Sequence, residues 1–565
     1  MLNKIGDKKL MTLKEKKLVF QMLFRTIKNY KKIVVYIFFL AIVSFGINLI
    51  SPRIESKIVD SGILSKDIKS LVSLVLIVIL LKFISEFIFF IQSYLKTYIS
   101  IDVREKMSID AFGHILKLKV KHIKKFGLYK IVKDVEYDLT MITQIFSEQC
   151  LECVFELAKI IGYFIGLLLI DWRMTCFIVI LVPFKCVQNK IMNKIREKSY
   201  DKLLEIQKQI SEWQSDIFDG IYEIKLWNLY DKQKNIYSTL LKKSNQVVKR
   251  ISILDGVDLL LNNIYENSIF NLLYIIAGVL IWKNQLTLGE MIAFISFSQY
   301  LFQPIAILMD LNATIAEITP ALKSFLKFND MEEENFEGKR IVNEINSIEF
   351  KNVYFSYDKQ PIFKGLNFSL NKGERTILVG KNGAGKSSIF SLLLRYYEPD
   401  SGQILVNGID ISEIPIDKYR ELFSCVSQEV FLFNDTIKNN VFINNDQQFE
   451  TLNKLLRFKD KFREKENKIV GKNGIYLSGG ERQRIAFARC LNKKSEILLA
   501  DEVTSNCDND SKKLIEKILN ESKFKIVLLI THDKQMCSLF EKMILLDEGE
   551  IIYQGNNKNN LGGKK

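Results

Sequence analysis

Before about Phe325 the chain gathers its apolar residues into long blocks, and this placement constrains the fold more than any other feature. A hydrocarbon core of about 30 Å asks for about 20 apolar residues per crossing helix. Six stretches are candidate spans: Ile33–Ser51, Leu71–Tyr94, Cys153–Ile170, Met174–Val187, Asp255–Ile281 and Leu288–Leu311. Lipid offers no partner to a free backbone N–H or C=O, so each span must be helical. Two connections are tight, at Asp171–Arg173 and around Lys283–Gln285, and two are long and basic, Leu95–Glu152 and Gln188–Leu254. Basic loops stay on the cytosolic side, as does a basic N-terminus, and six crossings return the chain to that side. The net charge is +15, from 80 Lys+Arg against 65 Asp+Glu. Its concentration between apolar blocks favours a membrane surface over nucleic acid.

Residues 1–30 are basic and amphipathic, without a small-residue cleavage site, which reads as an interfacial segment and not a signal peptide. The eight cysteines lie scattered, as free thiols in a reducing compartment would; the Cys150–Cys153 pair has no partner pair nearby and reads as packing. Around Ile101–Leu118 and Tyr200–Leu240 apolar residues recur at helical spacing among charges, so the membrane helices are expected to continue into the cytosol. They must turn at tips, expected at Lys119–Gly127 and Asp219–Leu226. Lys82, Glu86, Glu152, Glu156, Lys159, Asp255, Asp258 and Glu266 lie in or beside spans. Such charges either pair at helical spacing or line a wet cavity suited to a cationic or amphipathic ligand.

The second half carries Gly380-Lys381-Asn382-Gly383-Ala384-Gly385-Lys386-Ser387-Ser388, which fits G-x-x-x-x-G-K-[ST]. A strand-like run, Arg375–Val379, precedes it, and Ser388–Tyr396 reads as the helix after it. Glycine N–H groups and the positive helix end suit a polyphosphate. Lys386 would reach the β- and γ-phosphates and the Ser387 hydroxyl would ligate Mg²⁺. From Ser347 onward short strands alternate with helices, the pattern of an α/β domain.

Further motifs follow in order: Gln428 in CVSQEVFLF, Leu477-Ser478-Gly479-Gly480-Glu481, Asp501-Glu502 after the apolar run Ile497–Ala500, and His532 in LLITHD. With the phosphate loop, this series resembles the ATPase domain of the ATP-binding cassette (ABC) transporter family over Ser347–Gly555. The first half resembles the family's six-helix exporter type, most clearly over Gln285–Ile305. The resemblance thus implies an all-α transmembrane six-helix domain with long cytosolic helical extensions, joined to an α/β P-loop nucleotide-binding domain. The expected divisions are residues 1–30, an amphipathic segment; 31–325, the membrane domain; 326–346, an acidic linker; 347–555, the ATPase domain; and 556–565, a frayed tail.

The resemblance also implies roles, with ATP and Mg²⁺ as cofactors. Tyr357 would stack on adenine, with Tyr354 and Phe355 as near rivals. Asp501, Ser387 and Gln428 would hold Mg²⁺; Glu502 would activate water; His532 would contact the γ-phosphate. Ser478, Gly479 and Gly480 would complete the nucleotide pocket of an opposite ATPase domain. One ATPase domain with six spans is a half-transporter, so a second copy is the simplest partner and a related half-transporter the other. The family places such a chain in a bacterial inner membrane, with the ATPase domain and N-terminus cytosolic. Asn506, Cys507 and Lys472 depart from the family pattern, and Asp446–Tyr476 is short. ATP-driven export of a small molecule, peptide or lipid-like cargo is the function implied. An ATP-gated regulator without cargo and an importer of exporter-like fold stay open. Acidic residues in the spans lean the cargo toward a peptide or drug-like molecule.

Overall fold

The structure is a computed structural model, and it describes residues 28–147, 153–357, 360–443, 467–504, 509–521 and 523–557. The chain divides into two compact units, residues 1–113 with 132–330, and residues 114–131 with 331–565. The segment expected as the first cytosolic tip therefore belongs with the α/β unit.

Among its described residues the first unit is built of helices and the short turns that join them. Each candidate span lies on a helix: Lys31–Lys57, Ile68–Lys117, Cys153–Ile170, Trp172–Asp219, Tyr230–Trp282 and Leu288–Asn329. Among the described residues, four helices are long and apolar enough to cross a membrane, at Lys31–Leu64, Ile68–Lys117, Trp172–Phe218 and Tyr230–Trp282. The other two spans are shorter, at Cys153–Ile170 and over the apolar start of the last helix, Leu288–Phe302. The helix Trp172–Asp219 runs far past the Met174–Val187 stretch, since apolar residues recur at helical spacing among the later charges. The short span at Met174–Val187 is thus the apolar start of a 48-residue helix.

Local chemistry sets the helix ends. Asp171 caps Trp172–Asp219, accepting from the N–H groups of Arg173 and Met174 at 2.9 and 3.0 Å. Thr287 and Glu290 form a reciprocal capping box at the start of Leu288–Asn329. Asp60 adds to that end, accepting from the Thr287 hydroxyl at 2.7 Å and the Gly289 N–H at 2.9 Å. Asp60 reaches it from a π-helical turn, Ile58–Leu64, which re-aims the end of the first helix. A Cβ at Gly289 would collide with the Ser56 carbonyl and the Asp60 carboxylate, so glycine lets the two backbones meet.

The charges in this unit are paired between helices more than along them. Lys82 stands 3.0 Å from Glu55 of the first helix, the residue that also accepts from Ser296 at 2.7 Å. Its partner is therefore across helices, in place of the Glu86 that helical spacing offered one turn away. Arg196 holds Asp255 at 2.9 Å and Asp258 at 3.1 Å, and Lys185 faces Glu266 at 3.6 Å and donates to Asn262 at 2.7 Å. Glu156 and Lys159 pair along one helix at 2.6 Å, as do Asp102 and Lys106 at 2.7 Å. Pairing removes much of the cost of charge at membrane depth.

The second unit contains a four-stranded antiparallel sheet, in order β2 (Gln360–Asn371), β1 (Ser347–Tyr357), β4 (Ser401–Val406), β5 (Ile409–Asp410). A six-stranded sheet follows the order β10 (Glu550–Asn556), β9 (Lys542–Asp547), β3 (Arg375–Gly380), β8 (Ile526–Ile530), β7 (Ile497–Asp501), β6 (Phe423–Val426). Its strands from β9 to β6 are parallel and β10 is antiparallel. Every residue of β8 is buried, as expected of a strand covered on both faces. The register leaves the ends of β3, β8 and β7 side by side, with Leu378 opposite Ile530 and Asp501 opposite Ile530. Loops leaving those three ends therefore converge, which is where ligands bind in parallel sheets.

Candidate nucleotide site

The phosphate loop leaves β3 at Gly380 and enters the helix Lys386–Leu393. Gly383 and Gly385 have φ of 85° and 103°, a region that costs other residues free energy. At Gly385 a Cβ would also press on the Phe363 ring. Ala384 is buried, and its N–H donates to the Lys381 carbonyl at 3.2 Å. Lys381 itself is exposed, its amine 3.5 Å from Asp547 at the end of β9. Lys386 folds its amine back on the loop, donating to the carbonyls of Gly380 at 2.7 Å and Lys381 at 2.9 Å. Asn382 lies at the loop's turn and Ser388 in the first turn of the helix, its N–H donating to the Gly385 carbonyl at 3.0 Å.

The helix after the loop ends at Leu393, not at Tyr396. Arg395 has φ of 52°, which stops it. The carbonyls so released find other donors: the Tyr419 hydroxyl on Leu393 at 2.7 Å and Arg420 Nε on Leu394 at 3.0 Å.

Opposite the loop, β7 ends at Asp501, and Glu502 follows it. The Ser387 hydroxyl and an Asp501 carboxylate oxygen face each other at 3.5 Å. Gln428 Nε2 donates to Glu502 Oε2 at 2.8 Å, and His532 Nε2 stands 3.7 Å from Glu502 Oε1. Glu502 adopts φ of 44°, and its N–H donates to the Ile530 carbonyl at 2.9 Å. Strain of this kind persists where surrounding structure fixes it, and it clusters at working sites. Burial pushes the Asp501 carboxyl above its ordinary value, and the neighbouring Glu502 charge adds to that shift. The Asp501 carboxylate, with the Ser387 hydroxyl facing it, offers a set of hard oxygens that suits a divalent cation.

Tyr357 ends β1. Its ring meets Tyr397 edge-on at 4.9 Å and Phe355 at 4.7 Å. Of its two rivals, Phe355 is fully in the core, while Tyr354 is exposed on another part of the strand. Tyr397 was not singled out by sequence; the adjacent aromatics Tyr396 and Tyr397, just past the helix, were the available signal.

The Ser478-Gly479-Gly480 stretch opens the helix Gly479–Asn492. Ser478 and Glu481 form a capping box there, with 2.9 Å from the Ser478 N–H to the Glu481 carboxylate. Lys472 lies in a short turn just before it, beside Asn473, whose side chain accepts from the Leu432 N–H at 3.3 Å. Asn506, Cys507 and Asp508, residues 1–27, and most of the Asp446–Tyr476 stretch lie outside the described residues.

Two family models match this chain. One, described as ABC transporter transmembrane region, matches residues 34–305, and the other, described as ABC transporter, matches residues 363–505. The chain belongs to the ABC transporter family. It joins a helical transmembrane domain to one ATP-binding domain, and it is an integral membrane protein that couples ATP hydrolysis to transport. Among similar proteins are the ATP-dependent lipid A-core flippases of Shigella sonnei (strain Ss046) and Escherichia coli (strain K12). Each is 27% identical over 531 residues, covering 92% of this chain and 90% of the relative. A solved structure of a bacterial Atm1-family ABC exporter with ATP bound superposes with a TM-score of 0.83 at 22% identity, covering 94% of this chain and 96% of that one. That likeness is one of fold.

Proposed function

We propose that two copies of this chain export an amphipathic, lipid-like molecule across a bacterial inner membrane, with the ATP-binding domains in the cytosol. The meeting of Ser387 with Asp501, and of Gln428 with Glu502, at the mouth of the phosphate loop carries the ATPase part of this reading. Lys386 leaves its two carbonyl partners to hold the β- and γ-phosphates, and the N–H groups of the loop surround them. Ser387, Asp501 and Gln428 would hold Mg²⁺, which would supply positive charge against the phosphates. Glu502 orients the attacking water and takes its proton, and His532 holds the γ-phosphate as charge develops. Tyr357 stacks on the adenine. Residues 1–30, 31–325, 326–346, 347–555 and 556–565 act as interfacial segment, membrane domain, linker, ATPase domain and tail.

Ser478, Gly479 and Gly480 act on the nucleotide of the second copy. The exposed second tip supports an assembly larger than one chain: Tyr222, Leu226 and Trp227 are each at least 69% exposed, a surface unsuited to water. Cargo class rests on the relatives named as flippases for lipid A-core. Of the acidic residues named in or beside the spans, Glu156, Asp255, Asp258 and Glu266 each have a basic partner, which weakens the case for a cationic cargo; Glu152 lies outside the described residues. In proteoliposomes, a fluorescent glycolipid should raise ATP hydrolysis and change leaflet only when ATP is supplied. Hydrolysis indifferent to every amphipathic lipid tested would overturn the cargo class.

A further inference from the structure

Three consecutive glutamates, Glu332, Glu333 and Glu334, meet different basic side chains. Their backbone first pairs with the Lys117–Lys119 stretch. An antiparallel bridge joins Leu118 to Glu333. The Lys119 N–H donates to the Glu332 carbonyl at 3.1 Å, and the Glu334 N–H to the Lys117 carbonyl at 2.8 Å. Glu332 then meets Lys121 at 2.6 Å and Lys119 at 3.2 Å, and Glu333 meets His114 Nδ1 at 2.6 Å. Bonds from Lys121 and then Lys119 hold the Glu332 carboxyl down at about 2.

Glu334 faces the other way in chemistry. Its carboxylate is gripped by both ends of the Arg420 guanidinium, at 2.7 Å each. The Glu334 side chain is 10% exposed, against 58% for Glu332. A forked, partly buried pair fixes geometry in a way that an exposed pair does not. Arg420 has a second grip: its Nε and Nη2 donate to the carbonyls of Leu394 and Arg395, at 3.0 and 3.2 Å. Those residues directly follow the helix that begins at Lys386 of the phosphate loop. One arginine thus holds the acidic run and the far end of the phosphate-loop helix together. The same tip has a further link, with Lys124 over the Tyr397 ring at 5.4 Å, next to Tyr357.

We propose that Glu334 and Arg420 are positioning residues for energy coupling, tying the first cytosolic tip to the phosphate-loop helix through the acidic run. The inference rests on the reading of the chain as an ATP-driven exporter. When the phosphate-loop helix shifts with nucleotide, Arg420 moves with its exit and draws Glu334. The bridge at Leu118 and Glu333 passes the shift to the tip, and the tip is continuous with two long helices. The backbone bridge keeps the tip seated, while Glu334 makes the connection to the nucleotide side.

The test is a distance measurement in the full chain, reconstituted in lipid with the native cysteines replaced. A spin label at Trp282→Cys, the exposed end of its helix, reports on the membrane domain in paired copies. Wild type should change its label-to-label distance on addition of ATP and vanadate. Glu334→Ala should bind a fluorescent ATP analogue within about twofold of wild type yet lose most of that change. Glu334→Asp, which keeps the charge, should retain at least half of it. Exposed Glu332→Gln, with the bridge intact, should behave close to wild type. A full distance change in Glu334→Ala would overturn the proposal, as would equal loss of nucleotide binding, which would make the pair a support of the ATPase fold alone. No change in wild type would overturn the exporter reading instead, and this inference with it.

Discussion

The Gln428 side chain donates its amide to Glu502 across 2.8 Å, joining the loop after β6 to the end of β7. The bond uses the amide nitrogen of Gln428 and leaves its carbonyl oxygen available to a cation beside Asp501. It also holds Glu502 by one oxygen, so that the other faces His532 at 3.7 Å. A carboxylate held in this way can receive a proton without swinging.

Replacing that carboxylate is expected to separate binding from turnover. Glu502→Gln should lower ATP hydrolysis by about 10²- to 10⁴-fold. Phosphate release checks the rate, and a fluorescent ATP analogue should bind within about twofold of wild type. A variant that kept more than a tenth of the wild-type rate would remove Glu502 from its role.

Asp501 is expected to act through the metal. Asp501→Asn should raise the Mg²⁺ concentration needed for half-maximal hydrolysis by about 10-fold or more, an effect typical of weakened metal support. A Mg²⁺ titration at saturating ATP reads this directly. An unchanged half-point alongside a lower rate would assign Asp501 to folding.

Tyr357 should matter through its ring. Tyr357→Ala is expected to weaken ATP by about 5- to 100-fold, the range for loss of one stacked base. Tyr357→Phe keeps the ring and should bind almost as wild type. Tyr397→Ala, which removes the edge-on support at 4.9 Å, should fall between them. Equal affinities for all three would place the adenine elsewhere.

One buried carboxyl gives a pH signature outside the membrane spans. Asp138 is 6% exposed, and burial raises its carboxyl from 3.8 to about 6, opposed by a bond from Ser324. The folded state therefore holds a proton that the unfolded state has lost, and stability falls as pH climbs from about 3.8 to about 6. Above that window the full penalty is in place. Asp138→Asn should melt a few degrees higher than wild type at pH 7.5, with the gap closing below about pH 4. A constant gap at every pH would mean the residue contributes through shape alone.

What sequence made legible follows from the range of each interaction. The six apolar blocks and the phosphate loop are local patterns, written in neighbouring residues, and they carried the fold class. The helix Lys386–Leu393 was read too long because Arg395 alone, with φ of 52°, ends it. The acidic run read only as a linker because its partners are remote: His114 is 219 positions from Glu333. Lys82 illustrates the same limit, since spacing offered Glu86 while the fold supplies Glu55. Asp60 and Tyr397 were missed for the same reason. Each gains its meaning only when the chain returns beside it.

The most direct measurement asks whether a single nucleotide pocket is shared by two copies. Lys386→Ala removes the phosphate-loop lysine, and Ser478→Arg blocks the signature stretch. Each variant alone should be nearly inactive. Co-expressed with two different tags and purified through both, the mixed pair should regain ATP hydrolysis, because one of its pockets joins an intact Lys386 to an intact Ser478 from the other copy. A mixed pair as inactive as its parents would contradict the account, since it would mean that each chain builds its pocket alone.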